Sequence, residues 1–287
     1  MPVSGVSRKG RGRRSLTLGA RAKLGQYRAR KYFREAAWGE IMKARPKIMG
    51  VIPARLGSTR LPGKVLREIA GKPMLYWVSH HARRSPLLDD LLVATENEEV
   101  KQYCESQGIP VTLTGRHPSP TDRVHEVMTR TKAEVYANIQ GDEPMLRPAH
   151  FDLLLAPFSS GEVQVTTLKV AMDAVAARDP NNVKVVTDRS GRALYFSRYP
   201  IPYDRDAQGG IQYYKHLGIY AYTRATLALF HSLPQSSLEL AEKLDQLRFL
   251  QNGVPIMVAE APDDTIGVDT EADLQQVNAL FSAGAFE

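Results

Sequence analysis

A chain of 287 residues with 43% apolar content is long enough to bury the core of one large domain, and it holds no stretch of about 18 apolar residues to span a bilayer as a helix. The formal net charge of +7 suggests a polyanion partner until it is divided along the chain: residues 1–47 hold 14 of the 38 Lys and Arg and 2 of the 31 Asp and Glu, so they carry +12 and the remainder −5. Basicity therefore belongs to the leading segment, and the single cysteine, Cys104, excludes an intrachain disulfide or a cysteine-based zinc cluster.

The leading segment, with RKGRGRR at 8–14 and RARKYFR at 28–34, combines high charge with few aliphatic residues. Residues 1–46 are expected to form a disordered basic extension, and the domain is expected to occupy 47–287. Nucleic acid, anionic lipid and an organelle address each fit such charge. A nucleic-acid-binding protein that uses this tail is the alternative from a different functional class, and the acidic balance of the domain counts against it. A lone thiol and the lack of an apolar signal core make the cytoplasm the expected compartment.

The first strand is expected at Ile48–Ile52, followed by the loop IPARLGSTRLPGK at 52–64. This loop holds Arg55, Arg60 and Lys64 with two glycines and two prolines, at the carboxyl end of a strand where α/β sheets bind ligands, and so reads as a phosphate cradle. It is not a Walker A loop: five residues separate Gly57 from Gly63, and Val65 follows Lys64. Pro73 opens a helix that runs through Met74, Trp77, Val78 and His81, which makes His80 and His81 helix-face residues rather than metal ligands.

Apolar runs at Leu91–Ala94, Val111–Leu113 and Val135–Ile139 alternate with helical segments and indicate parallel β-α units. Ser119-Pro120-Thr121-Asp122 is a helix start, with Arg123 in the first turn, where either plain capping or an anion site is consistent with the spacing. Asp142, immediately after the Val135–Ile139 strand, is placed to hold a hard cation, which usually takes one or two carboxylates together with substrate phosphates.

From Val163 to Tyr222 the texture becomes antiparallel and β-rich. One helix is expected over Ser237–Leu250, then a strand at Ile256–Val258 and a final helix from Glu271. Asp269 is a second cation candidate, since Thr270 and Asp273 suffice to cap that last helix.

These segments carry a family resemblance. IPARLGSTRLPGK, Gly71-Lys72-Pro73-Met74, NIQGDEP at 138–144, ALYFSR at 193–198, KHLGIYAY at 215–222, LDQLR at 244–248 and GVDT at 267–270, in this order, resemble the 3-deoxy-manno-octulosonate cytidylyltransferases, the CMP-Kdo synthetases of bacterial lipopolysaccharide synthesis. The resemblance covers roughly residues 48–280.

It implies an α/β protein with the three-layer α/β/α nucleotide-diphospho-sugar transferase-like fold, a mixed, mostly parallel sheet, and a β-rich dimerisation insertion at about 188–223. It also implies transfer of CMP from CTP to the anomeric hydroxyl of Kdo, with Mg2+ as cofactor and a homodimer as the assembly. Arg55, Arg60 and Lys64 would meet the phosphates, and Asp142 and Asp269 would hold the metal. Ala54, Gly57, Ser58, Arg123 and Gln140 would complete the CTP site, while Arg198, His216, Tyr220, Asp245 and Gln246 would take the sugar acid.

The chain departs from the family pattern at three places. Pro120 stands where glycine is common and removes a backbone donor. Asp245-Gln246 replaces a common Glu-Gln, which leaves another acidic sugar, an amino-substituted Kdo or a sialic acid, as an alternative acceptor. Thr95-Glu96-Asn97 stands at a strand end where an Asp-Asp pair is common.

Overall fold

The computed structural model describes residues 45–206 and 209–284, and Pro46–Glu287 clusters as one compact unit. The basic extension expected at 1–46 lies outside the described residues except for Arg45 and Pro46.

In chain order the elements are β1 (Ile48–Pro53), the two-strand hairpin β2 (Glu68–Ile69) and β3 (Lys72–Pro73), α1 (Met74–Arg83), β4 (Asp90–Thr95), α2 (Glu98–Ser106) and β5 (Val111–Leu113). Then follow α3 (Pro120–Arg130), β6 (Val135–Asn138), α4 (Pro148–Leu155), β7 (Val165–Met172), β8 (Lys184–Thr187), β9 (Ala193–Ser197) and β10 (Tyr213–Thr223). The chain ends through α5 (Arg224–Ser232), α6 (Ser237–Glu242), α7 (Leu247–Gln251), β11 (Ile256–Glu260) and α8 (Glu271–Ser282).

The main sheet has the order β11-β7-β10-β6-β1-β4-β5. β1 runs parallel to both neighbours, β4 and β6, and is buried from Ile48 to Ile52 without polar alternation, as a strand covered on both faces requires. Met49 and Val51 join one core with Val124 and Val127 of α3, Leu227 and Phe230 of α5, and Leu247 and Phe249 of α7. A second core joins Met74 of α1 to Leu274, Val277 and Phe281 of α8 and takes in Leu61, the apolar anchor of the loop after β1. Each such fully buried side chain contributes about 1.5–3 kcal/mol of burial. Among the described residues, no helix is long and apolar enough to cross a membrane.

The β-rich stretch near 188–223 supplies β9 and β10, and β10 joins the main sheet antiparallel to both β6 and β7, with Leu217, Ile219 and Ala221 buried. Only the β8–β9 hairpin lies off the main path, joined where Lys184 pairs with Lys215. The helix expected over 237–250 is two short helices. Lys243 takes a left-handed φ of 55° at the end of α6, and the break turns Asp245 toward Thr121, whose hydroxyl donates to Asp245 Oδ2 at 2.9 Å. A tertiary hydrogen bond and backbone geometry of this kind leave no mark on helical periodicity.

Candidate active site

The loop after β1 is held mainly through its backbone. Ala54 N–H donates to Ala94 O at 2.9 Å, Leu56 N–H to Asn97 Oδ1 at 3.1 Å, and Gly63 N–H to Leu56 O at 3.1 Å. Leu61 is buried, whereas Arg55, Gly57 and Arg60 are exposed at the rim. Arg55 makes no ion pair among the described residues.

Lys64 reaches inward. Its ammonium donates to Asp142 Oδ2 at 2.5 Å and to Asp269 Oδ1 at 2.8 Å, and Arg60 Nη2 donates to Asp269 Oδ2 at 2.7 Å. Burial works to lower the Lys64 pKa, but the two carboxylates, Asp142 first, more than offset it and the net shift is upward. Lys64 is therefore charged throughout the physiological range.

Close approach at two glycines, to backbone at Gly141 and to the Glu143 side chain at Gly267, accompanies the meeting of carboxylates from segments far apart in the chain. A Cβ on Gly141 would lie 2.9 Å from Pro53 O, so only glycine lets the turn bearing Asp142 tuck under the end of β1. A Cβ on Gly267 would lie 2.8 Å from Glu143 Oε1, so the strand-like segment bearing Asp269 closes over Glu143, with Val268 N–H donating to Asp142 O at 2.9 Å. Gly141→Ala is expected to cost about 1–3 kcal/mol of stability through this backbone clash. A chemical denaturation curve measures it, and an unchanged midpoint would contradict the close approach.

A cavity of about 280 Å³ is lined by Ala54, Arg55, Gly57, Ser58, Arg60, Lys64, Arg123, Gln140, Asp142 and Asp269, so the structure gathers every residue expected at the nucleotide and metal sites. Arg123 is less available than its place in the first turn suggested. It is buried, its guanidinium is ion-paired with Glu96, and it also donates to Thr114 Oγ1 and to Gly115 O. Ser119 caps α3 by accepting from Asp122 N–H at 3.1 Å.

Next to it lies a second cavity of about 570 Å³, lined by Arg198, His216, Tyr220, Asp245 and Gln246, the five residues expected to take the acid. Ser119, Pro120, Gln140, Asp142 and Asp269 line both cavities, so the two meet at the paired carboxylates. A bulge in β10 between Leu217 and Tyr220 sets this wall. There the Thr167 hydroxyl donates to Ile219 O at 2.8 Å and lies 3.0 Å from His216 Nε2. Burial pushes the His216 pKa down to about 3, so the ring is neutral; with Nε2–H donating to Thr167, Nδ1 is left as an acceptor.

Two polar atoms of this wall, Tyr220 Oη and Gln246 Nε2, are buried without a hydrogen-bond partner among the described residues. A ligand rich in hydroxyls and carboxylate oxygens would satisfy them. Asp245 has its pKa raised by burial, partly countered by the Thr121 hydrogen bond.

Sequence reading missed several supporting residues. Glu96 and Asn97, at the strand end that departs from the family pattern, hold Arg123 and the Leu56 amide, which gives that departure a physical account. Glu143 is partly buried, its Oε2 has no hydrogen-bond partner among the described residues, and loss of water around the carboxyl and then the neighbouring Asp142 push its pKa up to about 7. Its place in the NIQGDEP run was the only signal available.

Asp142 and Asp269 fit a divalent cation of the magnesium type: two hard oxygen donors already converge on one positive charge, the Lys64 ammonium. Among the described residues, no group of three or more His, Cys, Asp or Glu forms a metal cluster, so the remaining ligands would be substrate phosphates and water.

Comparison with known proteins agrees with this arrangement. The cytidylyltransferase family profile matches residues 49–257. A 3-deoxy-manno-octulosonate cytidylyltransferase from Acidobacterium capsulatum is 58% identical over 234 residues, 81% of this chain and 96% of that protein. One from Koribacter versatilis is 54% identical over 235 residues, 82% and 90% of the two chains. A solved CMP:2-keto-3-deoxy-manno-octonic acid synthetase, in complex with CTP, is 44% identical, covers 83% of this chain and 99% of its own, and superposes with a TM-score of 0.80. With two adjoining cavities on a shared pair of carboxylates, a family profile across most of the chain and relatives above half identity, the chain belongs to the 3-deoxy-manno-octulosonate cytidylyltransferase family of cytidylyltransferases.

Proposed function

We propose that this protein transfers CMP from CTP to the anomeric hydroxyl of Kdo, giving CMP-Kdo and pyrophosphate for lipopolysaccharide synthesis. The observation that carries the reading is that a cation-rich cavity and an acid-accepting cavity share Asp142 and Asp269, so a donor phosphate and an acceptor hydroxyl can meet there.

Catalysis of this type is mainly positioning and charge stabilisation. Arg55, Arg60 and Lys64 neutralise the triphosphate, and Ala54, Gly57, Ser58, Arg123 and Gln140 surround the nucleoside. His216, Tyr220, Asp245 and Gln246 orient the sugar hydroxyls, and Arg198 faces the carboxylate. The hydroxyl oxygen forms a bond to the α-phosphorus, the bond from that phosphorus to the bridging oxygen breaks, pyrophosphate departs and the hydroxyl proton is released. Asp142 and Asp269 would hold a magnesium ion, which when bound would supply charge neutralisation and lower the pKa of the attacking hydroxyl.

Pyrophosphate release with CTP, magnesium and Kdo tests the reading, beside arms with sialic acid, an amino-substituted Kdo, UTP and ATP. Release that needs both CTP and Kdo is the expected result. Turnover with a different acidic sugar alone would move the acceptor assignment, and silence in every arm would overturn the reaction.

The reaction belongs to the acidic body, in a cytoplasm that supplies CTP, and not to the basic segment. Deleting residues 1–46 is expected to leave kcat within about twofold. A large loss of turnover in the shortened chain would instead bring the tail, and the nucleic-acid reading that rests on it, back into the function. The working assembly is a homodimer: Leu194, Tyr199 and Tyr203, on and just after the β8–β9 hairpin, are 62%, 71% and 75% exposed, an apolar and aromatic surface suited to an interface. Light scattering at micromolar concentration is expected to give twice the chain mass, and a monomer would remove this assignment.

A further inference from the structure

Lys184 is an anomaly of this fold. It lies in β8 with no solvent exposure, and no carboxylate stands within ion-pair distance of it among the described residues. Its ammonium donates to two backbone carbonyls, Asp179 O at 3.0 Å and Arg198 O at 2.5 Å. Lysine is almost never fully buried unless paired, because withdrawing an ammonium from water is costly. A site that only needed filling would be served by an apolar side chain of the same length.

Arg198 is the residue on which these contacts converge. Glu242, at the end of α6, accepts from Arg198 N–H at 2.8 Å through Oε2 and from the Ser197 hydroxyl at 2.7 Å through Oε1. The guanidinium itself donates from Nε to Glu242 O at 2.8 Å, from Nη1 to Pro180 O at 3.0 Å, and from Nη2 to Lys243 O at 3.5 Å. Three of its five N–H groups are thus directed at neutral carbonyls, and no carboxylate pairs with the guanidinium. Its backbone N–H, its backbone carbonyl and its side chain are all fixed. Asp179 and Glu242 are the carboxylates nearest Lys184, so the cluster is balanced in charge, and Glu242 also fixes Arg198, which lines the second cavity.

We infer that Lys184 and Glu242 are positioning residues that set the geometry of Arg198 to receive the carboxylate of the acceptor acid. This rests on the functional reading above, since it assigns how that acid is held. Neither residue touches substrate: Lys184 acts through the Arg198 carbonyl, and Glu242 through the Arg198 amide and Ser197. The arrangement holds an arginine in place before the substrate arrives, so little ordering is left for binding to oppose.

The test is a double-mutant cycle of Lys184→Met with Arg198→Ala, read as KM for the sugar acid and as the calorimetric Kd for CTP. Lys184→Met is expected to raise the sugar-acid KM about tenfold or more, with the CTP Kd within about twofold of wild type. The double variant is expected to be no worse than Arg198→Ala alone, because Lys184 acts only through Arg198. An unchanged sugar-acid KM in Lys184→Met, effects that multiply in the double variant, or equal losses for both substrates would each overturn the inference. Should Lys184→Met fail to fold, Glu242→Gln enters the same cycle with the same expected and contrary results. Wild-type silence with CTP and Kdo would overturn the functional reading itself, before any variant is compared.

Discussion

Asp142→Asn is expected to lower kcat by about 30- to 1000-fold, a loss of roughly 2–4 kcal/mol of barrier lowering, while the fold is retained. The carboxylate is 28% exposed, lies at the junction of the two cavities and pairs with the Lys64 ammonium at 2.5 Å. The substitution keeps the shape and removes one negative charge from a pair that also includes Asp269. Neither hydrophobic core contains this residue, so its neutralisation leaves packing untouched. Steady-state kinetics with saturating CTP and sugar, together with a melting curve, separate the two effects. Activity near wild type would remove Asp142 from the metal-holding role, and a collapsed melting curve would make it a structural residue.

Lys64→Met is the second variant with a large expected effect. The ammonium is the charge on which Asp142 and Asp269 converge, and its side chain is only 13% exposed. Removing it leaves two neighbouring carboxylates without their shared partner, which costs stability, and takes one cation away from the incoming triphosphate. We expect kcat/KM for CTP to fall by about 100-fold or more. Manganese binding in the absence of nucleotide, followed by electron paramagnetic resonance, is expected to tighten, since no ammonium competes for the two carboxylates. Weaker manganese binding would show that Lys64 organises those side chains for the cation and does not stand in for it.

Much of the site was legible because its chemistry is concentrated in short runs. The loop at 52–64 stood out through its residue types alone, and its cations do line one cavity; Asp142 and Asp269 each follow an apolar segment at a position that capping does not require. The strands came out close to their expected bounds from β1 to β6, since β1 and β6 are buried along almost their whole length and so read as unbroken apolar runs. The capping box expected at Thr270 and Asp273 is present, and it leaves the Asp269 side chain to Lys64 and Arg60.

Other features were hidden because they depend on partners distant in the chain. Asp245 appeared to sit within one helix, yet the left-handed turn at Lys243 and the Thr121 hydroxyl carry it into the second cavity. Spacing left plain capping and an anion site equally open at Arg123, and the Glu96 ion pair that occupies its guanidinium has no local signature. Lys184 reads in sequence as one more polar residue in a strand, and only its enclosure makes it unusual.

The sequence by itself determined the family, the cation-rich loop, the carboxylates Asp142 and Asp269 as site candidates, and the separation of a basic segment from an acidic body, because residue type, order and local spacing carry all of these. The tertiary structure decided which side chains are spent on one another, which polar atoms are buried without partners, and that the two cavities meet at Asp142 and Asp269. Those properties are set by burial and by contacts between separated segments, 27 residues apart for Arg123 and Glu96 and 205 apart for Lys64 and Asp269, where no local pattern records the distance.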